Sequence, residues 1–255
     1  MDEGVSDFFS NKYKLKGAKH FLNQRPKNKP FCLSIAFNLP HGASTSTMKM
    51  LESDPETYKS LYRDIDIPIP AEYTAKEDIK TQKLPPEVLH VNDRQNIYDF
   101  VDNETDLKER MIRNMQAVTG IDMLVGNLRS TLKQLNLDDN TILIFTSDHG
   151  ILWGEYGLGG KALCYEICTK VPMIIFNPMT SSNTKGVVNN ELVQTIDIAP
   201  TMIEYAGINI PKSYQGKPLN NMIGGNNEPI RDYLFTENLW STHFGNPRCE
   251  SVQNK

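Results

Sequence analysis

Two short apolar runs, TILIF at 141–145 and VPMIIF at 171–176, flank a polar, glycine-rich stretch that carries Asp148, His149 and Lys161. This pattern constrains the fold more than any other part of the chain. Short runs rich in β-branched residues and bounded by turn residues read as buried strands. In an open α/β sheet, ligands sit in the crevice beyond the carboxyl ends of the strands. Adjacent charged groups at such an end are held together by something, and a metal with an anionic substrate would do so.

The rest of the chain supplies elements for such a sheet. PFCLSIAF, at 30–37, is opened by Pro30 and closed by Asn38, Leu39 and Pro40, which predicts another buried strand with His41 at its exit. From Glu104 to Leu135, Met111, Met115, Val118, Val125, Leu128, Leu132 and Leu135 recur at helical spacing, with Gly120 a point of interruption or bending. NLDDN at 136–140 is a turn before the strand TILIF. Strand, helix, strand in that order predicts parallel neighbours.

Residues 13–24 read as an amphipathic helix turning Leu15, Phe21 and Leu22 inward. Thr195 or Asp197 caps a further helix that runs through Tyr205 and ends at Gly207, and YLFTE at 233–237 reads as a strand. Between about 53 and 95, five prolines break a polar excursion of the kind that walls a binding site. The expected fold class is α/β with a mostly parallel sheet.

Bulk properties exclude several functions. The 255 residues, 39% hydrophobic and 23% charged, suffice for a large core. A net charge of −4 offers no general attraction to nucleic acid or anionic lipid, so any anion needs a local site. No apolar run approaches transmembrane length, and MDEGVSDFF lacks the pattern of a signal peptide, leaving localisation unassigned. Cys32, Cys164, Cys168 and Cys249 show neither scaffold nor paired zinc spacing and read as packing residues. Cys164 and Cys168 would share a helical face as two small buried residues.

Asp148 follows a β-branched strand and offers a carboxylate beside Gly150; its alternative role is to cap the next turn. His149 adds a second ligand type. Lys161 closes GEYGLGGK, whose glycines let the backbone fold tightly and aim one ammonium at a sulfate or phosphate oxygen; an exposed loop lysine fits equally well on local grounds. His41, in NLPHGAST, is placed to donate to a substrate oxygen or protonate a leaving group, or is a turn histidine.

TSDHG, GEYGLGGK, the following YE and KVPMIIF occur here in an order and spacing that resembles the sulfatase family of the alkaline-phosphatase-like superfamily. FNLPHG, NLDDNTILIF, TIDIAPTMIEYAGINIP and QGKPL extend the likeness over nearly the whole chain. The resemblance implies a three-layer sandwich and hydrolysis of sulfate esters, most often on sulfated carbohydrates. It implies that Asp148 and His149 ligate a divalent metal, usually Ca²⁺, with Zn²⁺ or Mn²⁺ as alternatives because imidazole suits softer ions. It implies that Lys161 and His41 contact the sulfate, and it offers His243 and Arg248 as substrate contacts. SDHG also occurs in zinc phosphodiesterases of the superfamily, so a phosphodiesterase or phosphonate monoester hydrolase is a second reading, and a noncatalytic anion-binding fragment a third.

The departures are specific. The family carries an early Asp-Asp metal pair and a Cys- or Ser-x-Pro-x-Arg motif whose first residue becomes formylglycine. Neither occurs here: Cys32 is followed by LSIA, Cys164 by YEIC, Cys168 by TKVP and Cys249 by ESVQ. No residue is therefore assigned as nucleophile, and the chain reads as truncated at both ends. Residues 1–208 are expected to form the later part of the catalytic α/β domain, and 209–255 a linker and the start of a C-terminal subdomain.

Overall fold

Helix α1 (Lys16–Gln24) is the first described element, and it buries Ala18 and Leu22 while leaving Phe21 37% exposed. Full burial of one leucine contributes about 1.5–3 kcal/mol, so Leu22 anchors this short helix. Phe21 instead meets the edge of Phe31 at a centroid distance of 6.1 Å. The structure, a computed structural model, describes residues 16–37, 39–41, 52, 56–75, 95–226, 228–239 and 248–255. Leu15 lies outside these residues.

The described chain divides into two units: Met1–Gln82, Tyr98–Asp138 and Trp153–Gly159 make the first, and Lys83–Ile97, Asp139–Leu152 and Gly160–Lys255 the second. Helix α2 (Glu104–Gln134) dominates the first unit. The Asn103 side chain accepts from the Asp106 N–H at 2.9 Å, a cap that stabilises by about 1 kcal/mol. At the other end Asn136 takes φ 53°, and the N–H groups of Asn136 and Leu137 donate to the carbonyls of Lys133 and Leu132. This left-handed closure satisfies carbonyls the helix cannot.

Helix α2 passes through Gly120 without a break. Its buried stripe also differs from the expected one: Leu107, Ala117, Ile121, Leu124 and Leu132 are buried, whereas Val118 is 47% exposed. Apolar residues occur on several sides of this helix, so spacing alone did not select the inward face. Two polar residues share the buried stripe. Gln116 donates to the Leu61 carbonyl at 2.8 Å, and Arg113 donates to Glu109 at 2.9 Å. Arg63 engages both oxygens of the same Glu109 carboxylate.

The core of this unit gathers Phe100, Val101 and Leu107, with Ile69, Tyr73, Tyr98, Met111 and Trp153 around them. Part of the proline-rich excursion docks here. The Thr74 N–H donates to the Gly154 carbonyl at 3.1 Å, and the Tyr156 N–H to the Glu72 carbonyl at 2.8 Å. Gly154 has φ +94°, and a Cβ there would stand 2.5 Å from the Tyr73 ring, so this turn accepts only glycine.

In the second unit, strand β1 (Leu143–Thr146) pairs with β2 (Met173–Phe176), from Leu143 opposite Phe176 to Thr146 opposite Met173. The pairing is antiparallel. The one described helix between these strands is the four-residue Glu166–Thr169, too little for the crossover a parallel pair requires. Residues 31–37 alternate between half-buried and exposed as a strand would, yet have no ladder partner among the described residues. The expected parallel neighbours are therefore not seen among the described residues.

Helix α3 (Ile198–Tyr205) follows a 3₁₀ turn at Thr195–Asp197 and ends at Gly207, φ +68°. Asp197 was expected as a cap and does more. Fully buried, its carboxylate accepts from the N–H groups of Gln194 and Lys217 at 2.7 and 2.8 Å and from both terminal nitrogens of Arg231 at 2.6 Å. Strands β3 (Tyr233–Asn238) and β4 (Cys249–Asn254) then form an antiparallel ladder.

Candidate functional site

Strand β1 ends at Thr146, whose hydroxyl donates to the Pro172 carbonyl at 3.0 Å and so ties the strand exit to the approach of β2. The next residues turn sharply. The Asp148 carboxylate accepts from the His149 N–H at 2.9 Å, and the Gly150 N–H donates to the Cys168 carbonyl at 2.8 Å. A Cβ on Gly150 would stand 1.9 Å from the Ile167 carbonyl oxygen. Glycine is required there by close backbone approach, and that approach fixes Asp148 and His149.

The His149 ring nitrogens have distinct roles. Nδ1 lies 2.9 Å from the Gly150 carbonyl oxygen, which can only accept, so Nδ1 carries the proton. In the neutral ring Nε2 then presents a lone pair, and Lys161 Nζ donates to it at 2.8 Å. Asp148 Oδ2 is 3.2 Å from the same Nε2. Burial works to raise the Asp148 pKa, while the charge that His149 carries when protonated, the local backbone N–H groups and Lys161 outweigh it and hold the carboxyl below its ordinary value.

Lys161 is positioned from the far side by β3. The Asn238 side chain donates to the Ala162 carbonyl at 2.8 Å, and the Cys164 thiol reaches the Thr236 carbonyl at 3.9 Å. Ala162 itself takes φ 70°, an uncommon conformation for alanine that these contacts support. The residues predicted from sequence thus fall into three groups. Asp148, His149 and Lys161 come together. His41 is exposed after the Leu39-Pro40 cis peptide and belongs to the first unit, while Arg248 is exposed just before β4. His243 lies outside the described residues.

Asn238 and Gly150 support this region and were not singled out as functional from the sequence. Asn238 acts over 76 residues of separation, so no local pattern marks it. Gly150 was visible beside Asp148, but its need for glycine depends on Ile167, a tertiary neighbour.

Asp148 Oδ2 and the Lys161 ammonium each stand beside His149 Nε2, so a carboxylate, an imidazole and an ammonium gather at one point. The donor pair also fits a divalent ion: metal bonds of about 2.0–2.4 Å place adjacent ligand atoms about 3 Å apart, as here. Among the described residues no group of three or more His, Cys, Asp or Glu gathers to complete such a shell. Asp148, His149 and Lys161 are thus brought together at the exit of β1.

The family is defined by sequence. The Sulfatase family model matches residues 8–208, and the chain belongs to the sulfatase family. It is 30% identical over 230 residues to an arylsulfatase of Clostridium perfringens, covering 88% of this chain and 44% of that protein. It is 26% identical over 261 residues to an N-acetylglucosamine-6-O-sulfatase of Bacteroides thetaiotaomicron, covering 85% and 46%. The chain thus spans about half the length of these relatives. A protein solved in complex with its substrate D-glucosamine-2-N,6-O-disulfate superposes with a TM-score of 0.65 at 22% identity, covering 94% of this chain and 57% of that one. That likeness shows a common fold, the alkaline-phosphatase-like fold of the sulfatases.

Proposed function

We propose that this chain forms the metal and sulfate half of a sulfuric ester hydrolase acting on a sulfated carbohydrate. The observation that carries the reading is the convergence of Asp148, His149 and Lys161 at the exit of β1. Asp148 and His149 Nε2 would hold a divalent ion, Ca²⁺ by family or Zn²⁺ or Mn²⁺ by the preference of imidazole. Such an ion supplies Lewis-acid neutralisation of the sulfate oxygens.

This chain's own residues bind and orient. The Lys161 ammonium donates to a sulfate oxygen, held in place through Asn238 and Ala162. Gly150 keeps His149 in the Nδ1–H tautomer. His41, exposed at the end of residues 31–37, is proposed to donate to the sulfate or the leaving alcohol, and His243 and Arg248 to contact the sugar. The nucleophile belongs to none of these residues, since no cysteine here heads a Cys-x-Pro-x-Arg motif. We place 1–208 in the catalytic α/β domain, a three-layer sandwich with a mostly parallel sheet, and 209–255 in a linker and the start of a C-terminal subdomain.

The test is calorimetric titration of the purified chain with glucosamine 6-sulfate, glucosamine 6-phosphate and glucosamine, each with and without Ca²⁺ or Zn²⁺. The reading expects sulfate-dependent, metal-strengthened binding and no turnover of an aryl sulfate. A preference for the phosphate would favour the phosphodiesterase reading. Robust hydrolysis by this chain alone would overturn the missing nucleophile.

A further inference from the structure

Strands β3 and β4 turn one half-buried face toward the segment that carries Lys161. On that face Asn238 stands opposite Cys249, and Thr236 opposite Ser251. Cys164 docks onto it: its thiol reaches the carbonyl of Thr236 at 3.9 Å, and Thr236 pairs with Ser251, two residues along the strand from Cys249. Both cysteines are partly exposed and unbonded. Their separation in sequence, 164 to 249, hides a contact that the ladder creates. The other two cysteines are placed differently. Cys168 is buried behind Gly150 and Cys32 is exposed in the first unit.

We propose that Cys164 and Cys249 form an oxidisable pair that closes to a disulfide in the presence of a small-molecule disulfide such as oxidised glutathione. One cysteine thiolate attacks a glutathione sulfur and expels glutathione thiolate, giving a mixed disulfide. The second cysteine thiolate attacks the bound protein sulfur and expels the remaining glutathione, forming the Sγ–Sγ bond. Two protein thiols lose two protons and two electrons, and one oxidised glutathione becomes two reduced molecules. Burial, with the Cys249 thiol beside it, pushes the Cys164 thiol up to about 11, which lowers its thiolate fraction and slows its own attack on a disulfide.

The bond would join the segment following Lys161 covalently to the C-terminal ladder, in parallel with the Asn238 to Ala162 hydrogen bond. It constrains a long loop of the unfolded chain and therefore stabilises the folded one. The inference is independent of the reaction assigned to the site.

The experiment treats the purified full chain with oxidised glutathione, alkylates the remaining thiols, and maps non-reduced peptides by mass spectrometry. Exposed Cys32 is the internal control and should carry glutathione. The expected result is a cross-link between the Cys164 and Cys249 peptides, with a thermal midpoint that rises on oxidation. That rise should vanish in Cys164→Ser and in Cys249→Ser, and Cys164→Ser should trap glutathione on Cys249. Alkylation of both Cys164 and Cys249 in samples where Cys32 is modified, or a cross-link of Cys164 to Cys168, would overturn the pairing.

Discussion

Lys161 donates to Nε2 of His149 at 2.8 Å while Nδ1 of that ring faces the Gly150 carbonyl at 2.9 Å. The backbone carbonyl thus decides which ring nitrogen is left to meet a cation. Asp148, 3.2 Å from the same Nε2, adds a carboxylate to the cluster.

From this arrangement, Lys161→Met should weaken binding of a sulfated sugar by about 10–100-fold, since a hydrogen bond to a charged group contributes about 1.5–3 kcal/mol. Asp148→Asn should instead remove the strengthening by metal and leave metal-free binding less affected. Calorimetry of the two variants with and without a divalent ion checks both; equal losses in the two would contradict the division of roles.

Gly150→Ala should destabilise the second unit by at least about 1–3 kcal/mol, because its Cβ would overlap the Ile167 carbonyl at 1.9 Å. Backbone cannot swing aside as a side chain can. Urea unfolding measures the cost, and the same variant should lose anion affinity as Asp148 and His149 shift. An unchanged midpoint would show that the approach of residues 150 and 167 is not held in solution.

Arg231→Met should cost about 3–5 kcal/mol by leaving the Asp197 carboxylate buried without its guanidinium. The double variant Asp197→Asn, Arg231→Met should recover part of that loss. A double-mutant cycle on unfolding midpoints tests it, and additivity would argue against a direct pair.

Stability should fall in acid through Glu109. Burial works to raise its pKa, and hydrogen bonds and charge from Arg63 and Arg113 outweigh burial and set it below the ordinary 4.5. The unfolded carboxyl therefore takes up a proton first, so the stabilisation is complete above about 4.5 and is lost as pH falls through the depressed folded value. Urea midpoints between neutral and acid pH should slope downward for the wild type and less steeply for Glu109→Gln.

The sequence made the local features legible. TILIF, VPMIIF and YLFTE form strands, the helix after residue 103 ends at its predicted turn, and Asp148, His149 and Lys161 meet as their order suggested. What depended on tertiary choice was harder. Val118 and Ala117 are both compatible with a buried face, and only packing selects Ala117. The β1–β2 pair runs antiparallel because its connection holds no crossover helix, a fact of loop conformation that apolar patterning does not encode. Likewise Cys164 was read against Cys168 by spacing, whereas the ladder sets it against Cys249.

The Asp197 carboxylate accepts from Lys217 and Arg231, both beyond the boundary near 208, as well as from Gln194 before it. That boundary is therefore a poor place to cut the gene. A recombinant product ending at 208 would strip a fully buried anion of three of its four donors, those from Lys217 and both Arg231 nitrogens. Anyone trimming the chain for crystallisation should keep at least the start of β3, or replace Asp197 together with the tail.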